Sequence, residues 1–318
     1  MVQAIFDDEN PATAVHWRYP DTGVWDPDRN TAEFCAALPE YARHGVLGVT
    51  VGLQGGGSIY TPEIYDRYLN SAFTPQGELK PAYFERLYRV LGAADVAGMV
   101  VMVNYFYWKQ ATRLESGAAI RRATEAATAW LLDTGCENIL VDVMNECGDG
   151  WSGIDPQLGT ARIHELIEIV QQTTWNGRRL LVGSSTGGGD ELPRDRWQAV
   201  EDFHAPHGNG CTPDRLRAKL RTLKASAEFQ RRPRPILINE DTIFLDNLEA
   251  SVDEYVSWGF YCQGFGCDYR DRMGWTTHGR EATYEALSGF QTVPVNWGIH
   301  TPDKRAFFAR VRELTGVS

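Results

Sequence analysis

The sequence has few of the features that would tie it to a disulfide scaffold, a membrane or a nucleic acid. Six cysteines in 318 residues (Cys35, Cys136, Cys147, Cys211, Cys262 and Cys267) are too few for a disulfide-built fold, and none stands in a CxxC pair. Reduced thiols are expected. No apolar run reaches the length of about 18 residues that a spanning helix needs. The opening MVQAIFDDENPATAVHW has no basic segment followed by an apolar one, so no export signal is read and a cytoplasmic location is expected. Met1 nevertheless stands almost inside a strand-like run, which leaves room for a segment upstream. Basic clusters are scarce: the net charge is −11, and the one dense run, RRPRP at 231–235, has prolines that suit a solvated turn before a strand. Nucleic acid and anionic membrane are thereby excluded as main partners, because both need Lys and Arg gathered on one face. No Pro/Gly/Ser-rich linker divides the sequence, so a single domain over residues 1–318 is expected.

What the chain does have is apolar material, 43% of its residues, and a regular alternation of elements. Short β-branched runs at 2–6, 48–54, 99–107, 138–145, 179–185, 199–205, 235–240 and 259–265 read as strands. Amphipathic stretches at 31–43, 81–96, 117–133, 159–173, 213–226 and 247–257 read as helices, with a short turn at 191–197 and a closing helix at 302–314. Eight strands alternating with helices predict an α/β fold, a (β/α)8 TIM barrel, whose strands are buried on both faces and therefore almost continuously apolar. A doubly wound sheet would want a GxGxxG loop after its first strand, and LQGGGS after the second lacks that spacing.

In such a barrel the functional groups sit where strands end. Residues 139–147, ILVDVMNEC, form an apolar run, interrupted by Asp142, that delivers Asn145 and Glu146 at its end. PILINED at 235–241 repeats the arrangement with Asn239 and Glu240. Other strand ends supply Gln54, then Asn104, Tyr107 and Trp108, then Ser184 and Ser185, then His204 and His207, and finally Gln263, Asp268 and Tyr269. Trp108, Trp151, Trp275 and Trp297 follow strands and suit the stacking of flat rings on sugar faces. The glycine-rich stretches GGGS at 55–58 and TGGGD at 186–190 are expected on the rim.

The MNE ending the fourth strand and the NE ending the seventh, within this order of elements, resemble the retaining glycoside hydrolases of clan A, the 4/7 superfamily. The resemblance implies that Glu146 is the general acid/base, that Asn145 binds the sugar 2-hydroxyl and that Glu240 is the nucleophile. It implies a carbohydrate or glycoside substrate cleaved by double displacement, with neither cofactor nor metal. In that clan a His or Tyr after the sixth strand touches the nucleophile; His204 is expected in this role, with His207 nearby. Gln54, Asn104, Tyr107, Trp108 and Trp275 are expected to line the substrate site. Cys147 stands where many members carry proline, and the tryptophan of the eighth strand has no match in GFYCQGFGCDY, so that Trp275 or Tyr269 would replace it. No one family within the clan is assigned.

Two other classes compete. A non-catalytic carbohydrate-binding barrel would keep the aromatics and polar rim and need neither glutamate. A metal-dependent barrel hydrolase could draw on Asp202, His204 and His207, but the chain has seven histidines in all and no HxH after its first strand.

Overall fold

The computed structural model describes residues 2–55, 67–261 and 293–317, without the side chains of 151 and 152. In chain order the strands are β1 (Gly48–Gly52), β2 (Val100–Phe106), β3 (Ile139–Met144), β4 (Leu181–Gly183), β5 (Ser185–Thr186), β6 (Ala205–Pro206), β7 (Leu237–Ile238) and β8 (Ser257–Trp258). The helices are α1 (Pro11–Ala14), α2 (Pro27–Arg43), α3 (Pro81–Val96), α4 (Trp108–Ala111), α5 (Gly117–Asp133), α6 (Ile163–Gln172), α7 (Asp195–Val200), α8 (Pro213–Ala225), α9 (Ala227–Arg231), α10 (Leu245–Asp253) and α11 (Pro302–Thr315).

Local chemistry sets the helix starts. The Asp26 carboxylate accepts from Arg29 N at 2.9 Å and opens α2, with Pro27 at its first position, where a missing N–H costs nothing. Ser116 opens α5 in the same way through Ala119 N, and Thr212 opens α8 through Arg215 N, again followed by proline. Gly316, at φ +66°, takes the left-handed position that closes α11.

Eight strand positions follow in sequence, each parallel to the next. Val2 bridges Val51 of β1; β1 pairs β2, β2 pairs β3 and β3 pairs β4. Cys147 carries the third pairing on to β5, β5 pairs β6, His204 bridges Ile236, and β7 pairs β8. This is the order of a (β/α)8 barrel. Val101, Val103, Tyr105 and Phe106 of β2 and Val141, Val143 and Met144 of β3 are fully buried, as strands covered on both faces require.

The first strand position differs from the expected strand over 2–6. Val2 N donates to Thr50 O at 2.7 Å, but the carbonyls of Gln3 and Ala4 are taken by side chains of α2: Asn30 Nδ2 reaches Gln3 O at 2.9 Å and Thr31 Oγ1 reaches Ala4 O at 2.7 Å. Side-chain capping has replaced the ladder, so the position shrinks to one bridge. Asp8, two residues past the expected strand, is buried and accepts from Thr13 Oγ1, Trp17 Nε1 and Leu69 N. The sixth position is also shorter than expected, because α7 runs to Val200 and leaves two strand residues, Ala205 and Pro206. The eighth pairs over Ser257–Trp258, two residues before the predicted 259–265, of which 262–265 lie outside the described residues.

Candidate active site

The end of β3 is shaped by a change of partner. Asn145 N still donates to Phe106 O of β2, at 2.9 Å, whereas Cys147 N donates to Ser185 O of β5, at 2.8 Å. Glu146, between them, has φ 55°, the left-handed region, which costs a residue other than glycine on the order of 1–3 kcal/mol. The kink turns the Glu146 side chain into the mouth of the barrel, where 32% of it is open to solvent.

Glu240 leaves β7 toward the same place with 8% of its side chain open. The segment after β6 completes the group. His207 Nδ1 lies 3.2 Å from Glu146 Oε1 and 3.8 Å from Glu240 Oε1, and ligand atoms of all three residues fall within 4.8 Å of one another. Asn209 Nδ2 donates to Glu240 Oε1 at 3.4 Å and to Asp241 O at 2.7 Å. Between His207 and Asn209 only glycine fits, since a Cβ on Gly208 would lie 2.3 Å from Asp241 Oδ2. Asp241 itself accepts from Trp258 Nε1 at 2.6 Å and from Asn247 Nδ2 at 3.1 Å, and Lys219 of α8 donates to His207 O at 2.7 Å.

Burial sets the protonation of these groups. It pushes the Glu146 carboxyl up to about 7, with the Lys219 ammonium acting against it. Burial also raises Glu240, opposed by His207 and Asn209 and assisted by the neighbouring Glu146. His207 is pulled down to about 4 by burial, against the pull of Glu240, so it is neutral around pH 7 and supplies no full charge that would keep Glu146 ionised.

Of the residues expected from sequence, Glu146, Glu240 and His207 come together. His204 does not: it is fully buried, its Nδ1 pairs with Glu201 Oε1 at 2.5 Å, and its ring lies 5.7 Å from Phe229 in the helical layer. His207 stands beside both glutamates in its place. Gln54 is likewise corrected, because its amide is spent within the protein: Nε2 donates to Ser71 Oγ and Gln110 O, and Oε1 accepts from Tyr107 N. Tyr107 and Trp108 remain at the end of β2, their rings 6.0 Å apart, with Lys109 Nζ 4.7 Å over Trp108. Trp297 packs into the core edge-on to Phe34 at 4.7 Å. Trp275 lies outside the described residues. Asn145 and Asn104 are buried, and each has a side-chain oxygen with no protein partner among the described residues; so has Asn209. Sequence reasoning missed Asn209 and Lys219. The HGNG run carried a glycine-based signal for the first, and a lysine on the amphipathic face of α8 gave none for the second.

No family model matches the sequence, and no curated protein matches it. Solved structures share the fold. A glycoside hydrolase of family 5 from Streptomyces cattleya, solved in complex with Manb1-4GlcNAc, is 16% identical with a TM-score of 0.56, over 93% of this chain and 79% of that one. A broad-specificity endoglucanase from Clostridium longisporum is 9% identical with a TM-score of 0.53, over 88% and 86%. A β-glucosidase is 12% identical with a TM-score of 0.52, over 91% and 89%. The chain therefore has the TIM-barrel fold that these glycoside hydrolases use.

Proposed function

We propose that the protein is a retaining glycoside hydrolase, with Glu240 as nucleophile and Glu146 as general acid/base. The observation that carries the proposal is the meeting of Glu146 and Glu240 within 4.8 Å at the ends of β3 and β7. A retaining mechanism needs its two carboxyl groups about 5–5.5 Å apart, close enough for one to attack the anomeric carbon while the other serves the leaving oxygen. In the first step a carboxylate oxygen of Glu240 bonds to the anomeric carbon, the bond from that carbon to the aglycone oxygen breaks, and the Glu146 proton passes to that oxygen. In the second, Glu146 takes a proton from water, the water oxygen bonds to the anomeric carbon, and the ester to Glu240 breaks. A carboxyl pushed up to about 7 suits the donor, and the amide of Asn209 on Glu240 suits the anion.

A panel of aryl glycosides that varies the sugar and the anomer is the direct test. One or more should be hydrolysed, with the first-formed sugar keeping the anomeric configuration of the substrate by proton NMR. An inverted product would sink the mechanism, and binding without turnover across the panel would favour a sugar-binding barrel.

The metal-dependent reading named Asp202, His204 and His207, but Asp202 pairs with Arg179 and His204 with Glu201; the donor set of a divalent-cation site is found instead at Glu146, His207 and Glu240. In the proposed mechanism these groups must be unmetallated. EDTA is thus expected to leave turnover unchanged, and added Zn2+ to inhibit in competition with substrate. Loss of activity on chelation, restored by a metal, would instead support the metal-dependent class.

A further inference from the structure

Asp142 breaks the apolar run of β3 and is fully buried. Its two oxygens both serve one residue of β5: Ser185 N donates to Oδ1 at 2.9 Å, and Ser185 Oγ donates to Oδ2 at 2.9 Å. Ser185 Oγ in turn accepts the backbone N–H of Glu146 at 3.1 Å. We propose that Asp142 and Ser185 are positioning residues that hold Glu146 in its left-handed turn and thereby aim the proton donor; this rests on the acid/base role proposed for Glu146.

The direction of the hydrogen bonds carries the inference. A hydroxyl has one proton. While Asp142 is ionised it takes that proton, and a lone pair of Ser185 Oγ is left to face Glu146 N–H. The competing acceptor is Met144 O, 3.3 Å from Ser185 Oγ, and Ser184 Oγ already donates to that carbonyl at 3.0 Å. An asparagine at 142 would keep the shape and lose the polarity. Its NH2 and the Glu146 N–H would then converge on the same oxygen, and the serine proton would turn toward Met144. Burial raises the Asp142 carboxyl to about 7 even with the two donors from Ser185 and the Asn104 amide drawing it down, so each of these donors favours the charged form on which the bond directions depend. The acidic side chain in the strand and the strained backbone beside it are thus two parts of one device. A residue held through its backbone in a costly conformation loses its aim when that one contact goes, even though its own side chain is untouched.

The experiment measures kcat and KM of the full chain and of Asp142→Asn, Ser185→Ala, Ser185→Thr and Glu146→Ala on two glycosides of the same sugar. One has a dinitrophenolate leaving group, the other an alkoxide that needs a proton. Asp142→Asn and Ser185→Ala are expected to lose roughly ten- to a hundredfold in kcat/KM, which reports the first step, on the alkyl glycoside and about twofold or less on the dinitrophenyl glycoside, whose kcat should fall only through the slowed second step. Ser185→Thr, which keeps the hydroxyl, should restore most of the loss. Equal losses on both substrates, or none on either, would overturn the positioning role, as would a Thr variant no better than Ala. Glu146→Ala separates the two levels. If it shows strong leaving-group dependence while the other variants do not, this inference alone fails; if it shows none, the acid/base reading fails and takes the inference with it. Should Asp142→Asn not fold, the Ser185 pair decides.

Discussion

Glu240→Gln should reduce turnover of every glycoside the protein cleaves by about ten-thousandfold or more, activated aryl glycosides included. An amide oxygen does not attack the anomeric carbon at a useful rate, so no glycosyl-enzyme forms whatever the leaving group. The change is isosteric and keeps an acceptor toward Asn209 Nδ2, so the thermal midpoint should move little. A 2-deoxy-2-fluoro glycoside with a good leaving group should add one sugar mass to the unmodified protein, on the peptide that contains Glu240, and add nothing to the variant. A label on another residue, or substantial activity in the variant, would remove Glu240 from the nucleophile's role.

Glu146→Ala has the second large effect, and a different one. Loss of the proton donor should cost about 10²–10⁴ in the glycosylation of alkyl glycosides and little for dinitrophenyl glycosides. The same residue is the base of the second step, so with the activated substrate the variant should accumulate a covalent sugar, visible in the intact mass. Azide, which needs no base, should restore turnover and yield a glycosyl azide of retained configuration. The pH profile gives an independent sign. With the Glu146 carboxyl raised to about 7, the unmodified protein should lose its acid catalyst as pH rises through about 7, and that alkaline limb should be absent from dinitrophenyl glycosylation by the variant. If neither adduct nor azide rescue appears with a substrate that the unmodified protein cleaves, Glu146 is not the acid/base.

Much of this arrangement was readable from residues alone, for identifiable reasons. The helices over 81–96 and 117–133 match their predicted bounds because proline or serine marks the start and a continuous apolar stripe the body. β2 and β3 are long apolar runs, and the two NE strand ends stand out because a carboxylate leaving such a run needs a reason. The first strand position was overestimated because sequence cannot show that Asn30 and Thr31 will claim the carbonyls of Gln3 and Ala4. The histidines were exchanged through parity. Residues three apart on an extended segment face opposite sides, so of His204 and His207 one alone can look into the barrel, and the choice depends on where a two-residue strand begins. His204 had its partner three residues back, in Glu201, and that pairing takes it out of the mouth. Asn209 depended on the close approach at Gly208, a tertiary contact that spacing does not encode.

The knot at Asp241 has a bearing on how such a protein can diversify. Trp258, Asn247 and Gly208 lean on one buried carboxylate from β8, from α10 and from the segment after β6, and that carboxylate is the residue next to Glu240. If Glu240 is the nucleophile, as proposed, it is thereby anchored through its neighbour Asp241. Variation in the rim above can redraw the choice of sugar and linkage while the anchorage stays as it is. The reverse does not hold: a change at Trp258 or Asn247, which hold Asp241 and through it the neighbouring Glu240, would be felt first as a loss of rate on all substrates together, and selectivity among them would be left as it was.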